Sequence, residues 1–135
     1  MHLCWGNYPG PHHRDVPLEQ IIDLVLNVRA QGLCFEAANS RHAHEWKVFE
    51  KVRLPEGKVL IPGVIESMSN RIEHPELVAE RIVKFAKIVG RENVIAGSDC
   101  GFGTFVGVAW SSPEIAWAKL AALAEGARLA SAELW

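Results

Sequence analysis

An α/β fold of four successive strand–helix units is what this sequence predicts, and three observations carry the prediction. The apolar runs are short and continuous rather than alternating. Longer segments with helical spacing lie between them, and glycine, proline and polar residues mark the joins. Continuous apolar strands belong to parallel sheets covered by helices. Four units are half of a (β/α)8 barrel, which takes about 250 residues; an open four-stranded α/β sheet is the alternative. In both, functional side chains gather at the carboxyl ends of the strands.

Residues 1–5 read as the first strand, so the chain starts inside its core, which predicts a fragment or an unusually short product. A Gly/Pro/Asn-rich loop over 6–15 follows. Leu18, Ile21, Ile22, Val25 and Val28 recur at helical spacing over 17–30, with Gly32 expected to close that helix. The second strand is 33–37, and a short helix is expected around 46–52. The third strand, 58–65, leads to a strongly amphipathic helix over 75–89, with Pro75 suited to its first turn and Gly90 to its end. The fourth strand runs into residues 94–104, where a β-branched run meets Asp99, Cys100 and three glycines. Ser112, Pro113 and Glu114 open the last helix, which extends to about residue 134.

The 135 residues are 49% hydrophobic and 22% charged with a net charge of -2, enough for one core and without a polyanion-binding footprint. No run approaches the roughly 20 apolar residues that span a bilayer, and the start lacks the pattern of a secretory signal. Three cysteines without paired spacing fit a reducing cytoplasm and metal or catalytic roles better than a disulfide framework.

His2, Cys4, Glu36, Glu66 and Cys100 all fall at predicted strand exits. His2 and Cys4, two apart on a strand, face the same side. Two thiols, an imidazole and a carboxylate form a donor set suited to zinc. Each also has an ordinary reading, as a buried core cysteine or a helix-capping carboxylate. Asp99 reads as a residue that orients a ligand or caps backbone. Cys34 reads as packing. Arg41, His42 and His44 form either a solvated loop or contacts for a substrate carboxylate or sulfonate. His12 and His13 are expected to be exposed. Trp5, Trp110, Trp117 and Trp135 read as core or interface, because no basic stripe accompanies them. The lone Gly101-Phe102-Gly103 is too short for a phosphate loop.

The motifs His2-Leu3-Cys4, Phe35-Glu36, Pro62-Gly63-Val64 and Asp99-Cys100-Gly101 resemble the carboxyl-terminal half of the cobalamin-independent methionine synthase catalytic barrel. Residues 4–12 and 73–82 are similar to its shorter methionine synthase II branch, which includes epoxyalkane:coenzyme M transferases. The resemblance covers essentially the whole chain as one domain, 1–135, and the last four β/α units of the barrel. It implies a zinc-dependent methyltransferase-type domain that activates a homocysteine-like thiol for alkyl transfer, with His2, Cys4, Glu36 and Cys100 as zinc ligands. The catalytic histidine of the longer synthases has Met68 in its place here. Glu66 occupies the position of an acidic residue in that loop, which leaves the methyl or alkyl donor open. With the first half of the barrel absent, the resemblance also implies a homo-oligomer or an amino-terminal partner chain. A zinc-binding fragment without catalysis and an epoxide-opening thiol transferase are the alternative readings.

Overall fold

A computed structural model of the chain describes residues 1–108 and 110–135. Four parallel strands form one sheet in the order β1-β2-β3-β4: β1 (His2–Leu3), β2 (Gly32–Phe35), β3 (Val59–Ile65) and β4 (Gly97–Ser98). Strand order follows chain order without reversal. An open doubly wound sheet reverses direction at a switch point, whereas consecutive units of a barrel do not. The architecture is therefore that of half a (β/α)8 barrel.

Three α-helices, α1 (Leu18–Asn27), α2 (Pro75–Val89) and α3 (Pro113–Leu134), connect or follow the strands. The segment expected as a short helix near 46–52 is a 3-10 helix, Glu45–Glu50, and a further 3-10 turn, Arg91–Asn93, precedes β4. Both edge strands are shorter than their apolar runs. Each has a neighbour on one side alone, and a register irregularity between Gly63 and Ile65 interrupts the β3–β4 ladder.

The end of α1 corrects an expectation. Gly32 does not close the helix but opens β2. The chain leaves α1 when Val28 turns extended, and the Lys58 ammonium bonds to the carbonyls of Val28 and Ala30. The other helix signals hold. His74 caps α2 by accepting from the Glu76 N–H, Gly90 ends it at φ 93°, and Ser112 caps α3.

The core beneath the helices forms two clusters, and the partly buried Val94 packs against both. Leu33, Phe35 and Leu60 from the sheet meet Leu18, Ile22, Val25 and Leu26 of α1 with Phe49 and Phe85, whose rings pack edge-on at 5.8 Å. A second cluster joins Val64 and Ile65 to Val78, Ile82 and Val83 of α2 and Ala130 of α3. Gly126 lets α2 and α3 touch: a Cβ there would stand 2.4 Å from Val78 Cγ1 and 2.8 Å from the Pro75 carbonyl. Trp110, Trp117 and Trp135 are 40%, 72% and 74% exposed, so they are not core residues. Each lies on or beside α3, and the Arg91 guanidinium stacks over the Trp135 ring at 3.6 Å.

Candidate metal and thiol site

All four strands exit at one end, and the side chains singled out at those exits converge there. Cys4 follows β1 and Cys100 follows β4, yet their sulfurs are 3.2 Å apart, and Cys100 Sγ lies 3.6 Å from His2 Nε2. The donor atoms of His2, Cys4 and Cys100 all fall within 4.8 Å of one another. Sulfurs bound tetrahedrally to one zinc at about 2.3 Å each stand about 3.7 Å apart, so this spread suits a single ion.

Glu36, buried at the exit of β2, places Oε1 3.5 Å from Cys100 Sγ. The same oxygen accepts the Trp5 N–H at 3.1 Å, and Oε2 accepts the Asn39 side-chain amide at 2.8 Å. Burial pushes the Cys100 thiol far above its ordinary range, and the neighbouring Cys4 and Glu36 push the same way. Burial also raises Cys4, although its bonds with Cys100 and the Gly6 N–H oppose this.

Asp99 organises the floor of the site. Its Oδ1 accepts the N–H groups of Ala37 and Ala38 at 2.8 Å, while Oδ2 accepts the Asn39 N–H at 2.8 Å and its side-chain amide at 3.0 Å. Burial raises its pKa to about 6 against these bonds. Four donors and no acceptor make the carboxylate the matching form near neutral pH. Asn39 thus links Asp99 to Glu36, and the exit of β2 is tied to that of β4. Gly63 is what lets β3 pass: a Cβ there would lie 2.0 Å from Asp99 Oδ1 and 2.7 Å from the Asp99 backbone.

Cys34 contributes more than packing. Its sulfur is 3.4 Å from His2 Nδ1, on the far side of the ring from Cys100. That contact holds the imidazole with Nε2 directed at the two thiols.

Beside the cysteines lies a cleft of about 240 Å³, whose lining includes Glu36, Glu66, Met68, Asn39, Arg41 and His42. The three loop residues read together in the sequence separate here. Arg41 is exposed at the rim, with Nε on the His12 carbonyl at 3.0 Å. His44 is exposed and absent from the lining. His42 is buried, not solvated: it stacks on Trp5 at 4.0 Å and bonds to Glu45 at 2.8 Å and Asp15 at 3.3 Å. His12, expected to be exposed, is largely enclosed and bonds to Asp15 at 2.8 Å and to the Tyr8 carbonyl at 2.9 Å. Burial opposes the charge on His42, but the bonds to Glu45 and Asp15 outweigh it and raise its pKa.

Glu66 reaches the cleft from the loop after β3, whose path is set from below. The Glu66 N–H donates to Glu73 at 2.8 Å, and Glu73 pairs at 2.9 Å with Lys119, an α3 ammonium with no solvent exposure that also bonds to the Arg71 carbonyl. Asn7 spans the cleft mouth, bonding to the Gly101 carbonyl, Thr104 and Ser67. Asn7, Asn39, Glu73 and Lys119 were not singled out from the sequence. The spacing Glu36-x-x-Asn39 is the one local signal among them.

Comparison with known proteins decides the family. A model of the cobalamin-independent synthase catalytic domain matches residues 11–123. The chain belongs to this family. Similar proteins include a methionine synthase of Saccharolobus islandicus, 29% identical over 136 residues, covering 99% of this chain and 35% of that protein. The uncharacterized protein YxjH of Bacillus subtilis is 27% identical over 123 residues, covering 89% of this chain and 32% of its own. A B12-independent methionine synthase from Shewanella sp. W3-18-1, solved in complex with selenomethionine, has the same fold. Its TM-score is 0.77 at 22% identity, covering 98% of this chain and 38% of the other. The chain spans about a third of the length of the curated relatives it matches. Among the described residues, no helix is long and apolar enough to cross a membrane.

Proposed function

We propose that this cobalamin-independent synthase domain binds zinc through His2, Cys4 and Cys100, with Glu36 as fourth ligand, and prepares a small thiol for alkylation. The observation that carries the reading is the meeting of two sulfurs and an imidazole nitrogen, from opposite edges of the sheet, within 4.8 Å. A bound zinc ion would supply the Lewis acidity that ionises a thiol near neutral pH.

The chain's own groups do the rest. Cys34 fixes the His2 ring, and Asn39 and the Trp5 N–H hold the Glu36 carboxylate beside Cys100. Asp99 keeps the β2 exit in register with Cys100. The adjoining cleft, about 240 Å³, is the proposed seat of a homocysteine-like thiol and its methyl or alkyl donor. Arg41 at its rim and His42 in its wall are the proposed contacts for an acidic group on the thiol, and Glu66 is the proposed acid–base residue. His44 takes no part in this arrangement.

Since the chain is about a third of its relatives, a second reading is zinc binding without turnover until the remainder of a barrel is supplied. Metal content of protein purified without added metal tests the ligand set. About one zinc per chain is expected for the wild type, with loss in Cys100→Ala. A folded wild type without zinc would overturn the proposal. Alkyl transfer by the chain alone would dismiss the second reading.

A further inference from the structure

The loop after β1 supplies one wall of the cleft, and its two ends are anchored. Asn7 bonds across the mouth to Gly101 and Thr104, and the Trp5 indole N–H donates to the Val16 carbonyl at 2.7 Å. Between these anchors the chain turns around the Tyr8 ring, against which the His12 ring lies tilted at 4.5 Å. His12 stands at φ 51°, a left-handed conformation that costs a residue with a side chain free energy. Bonds to its ring must therefore hold it there.

Those bonds form a chain of alternating imidazoles and acceptors. His12 Nδ1 lies 2.8 Å from Asp15 Oδ2, and its Nε2 lies 2.9 Å from the Tyr8 carbonyl. His42, from the loop after β2, places Nε2 3.3 Å from the same Asp15 oxygen and Nδ1 2.8 Å from Glu45. Carboxylate and carbonyl oxygens have no proton to give, and a neutral imidazole has a single N–H. Each ring can therefore keep both of its bonds only as an imidazolium. The surroundings favour that form. The Tyr8 carbonyl raises the His12 pKa, with burial opposing and Asp15 and Glu36 adding to it. Around His42 burial opposes the charge, and Glu45, Glu36 and Asp15 outweigh it. Arg41, the cation of the same loop, is turned to the rim with Nε on the His12 carbonyl at 3.0 Å.

We propose that the segment from Tyr8 to Asp15 is a flap on the cleft, latched by the protons of His12 and His42. When His42 loses its proton, the shorter bond to Glu45 in its own loop is kept. The longer bond to Asp15, which joins the two loops, is lost. When His12 loses its proton, the carboxylate is the stronger acceptor, so the Tyr8 carbonyl is released. The bond from Arg41 remains, while the left-handed backbone of His12 favours release. The flap is latched below the ordinary histidine range of about 6.5 and released as pH rises through the raised folded values. The inference rests on the two rings and their acceptors and is independent of the metal reading.

Amide hydrogen exchange on the purified chain, read by NMR at pH 6 and pH 8.5, tests the latch. Protection is taken relative to the unstructured rate of each amide at the same pH. The amides of Tyr8, Gly10 and Asp15 bond within the flap, to the carbonyls of Gly6, Tyr8 and His12. Their protection should fall at least about tenfold between the two pH values, and that of the α2 amides by less. Long-range proton–nitrogen spectra should show both nitrogens of the His12 and His42 rings protonated at pH 6. A double variant combines His42→Gln with His12→Asn, since asparagine tolerates the same left-handed backbone. It should show the weak flap protection already at pH 6 and no further loss at pH 8.5. Flap protection that is flat with pH in the wild type would overturn the proposal, as would an equal loss in α2. So would a neutral ring at either position at pH 6, or a pH dependence that survives in the folded double variant. Should that variant not fold, the wild-type exchange and ring spectra decide the matter.

Discussion

Gly63 and Asp99 show how one atom decides the geometry of the site. Asp99 ties two strand exits together, and it can do so because position 63 has no side chain. Gly63→Ala should cost about 1–3 kcal/mol in urea unfolding, since the added methyl meets backbone as well as a carboxylate. It should also weaken zinc binding in a competitive titration, because Asp99 positions the neighbouring Cys100. His42 gives a second residue-scale prediction. Its imidazole faces Glu45 of the 3-10 helix and Asp15 of the first loop, with Glu36 and His12 nearby. A histidine whose folded pKa is raised stabilises fully below its unfolded value of about 6.5, and that stability is lost as pH rises through the folded value. The urea midpoint should therefore fall from pH 6 to pH 8.5, and His42→Gln should flatten the fall. His12, also raised, leaves a residual slope of the same sign.

At the scale of elements, α3 does more than cover the sheet. It sends Lys119 under the β3–α2 loop, where the ammonium pairs with Glu73 and holds the backbone at Glu66. Removing one partner of a buried pair leaves the other charge uncompensated. Lys119→Met is expected to lose about 3–5 kcal/mol in chemical unfolding, whereas Lys119→Met with Glu73→Leu should recover part of that. Recovery of nothing would mean that the bond from Glu73 to the Glu66 N–H carries the loop. The sequence showed α2 and α3 clearly, because Pro75, Gly90, Ser112 and Pro113 are chemical stop and start signals. It misplaced the end of α1, where the carbonyls are satisfied by Lys58 from another element and no local signal is required.

For the molecule as a whole, the proposed metal joins the two edge strands, β1 and β4, which are not neighbours in the sheet. A ligand that bridges them and binds only the folded chain stabilises it by mass action. Treatment with a strong chelator should lower the melting temperature, and added zinc should restore it. With Cys4→Ser or Cys100→Ala neither treatment should shift the transition. A wild-type melt unchanged by chelation would separate the metal from the stability of the fold.

What the sequence by itself determined is the alternation of strands and helices and the residues delivered at the strand ends. Both follow from local rules, namely the period of apolar positions and the chemistry of caps. His2, Cys4, Glu36 and Cys100 could be named because the exits of parallel strands share one end of the sheet. Tertiary structure alone decided which polar residues act together. Arg41, His42 and His44 are near neighbours in the chain, yet a one- to two-residue change of direction in a loop sends one to the rim, one into the wall and one to solvent. Cys34 behind His2, Asn39 between two carboxylates and Lys119 beneath Glu73 depend on contacts between chain positions far apart. Such contacts are set by the packing of strands and helices across the sheet, and no periodicity along the chain records them.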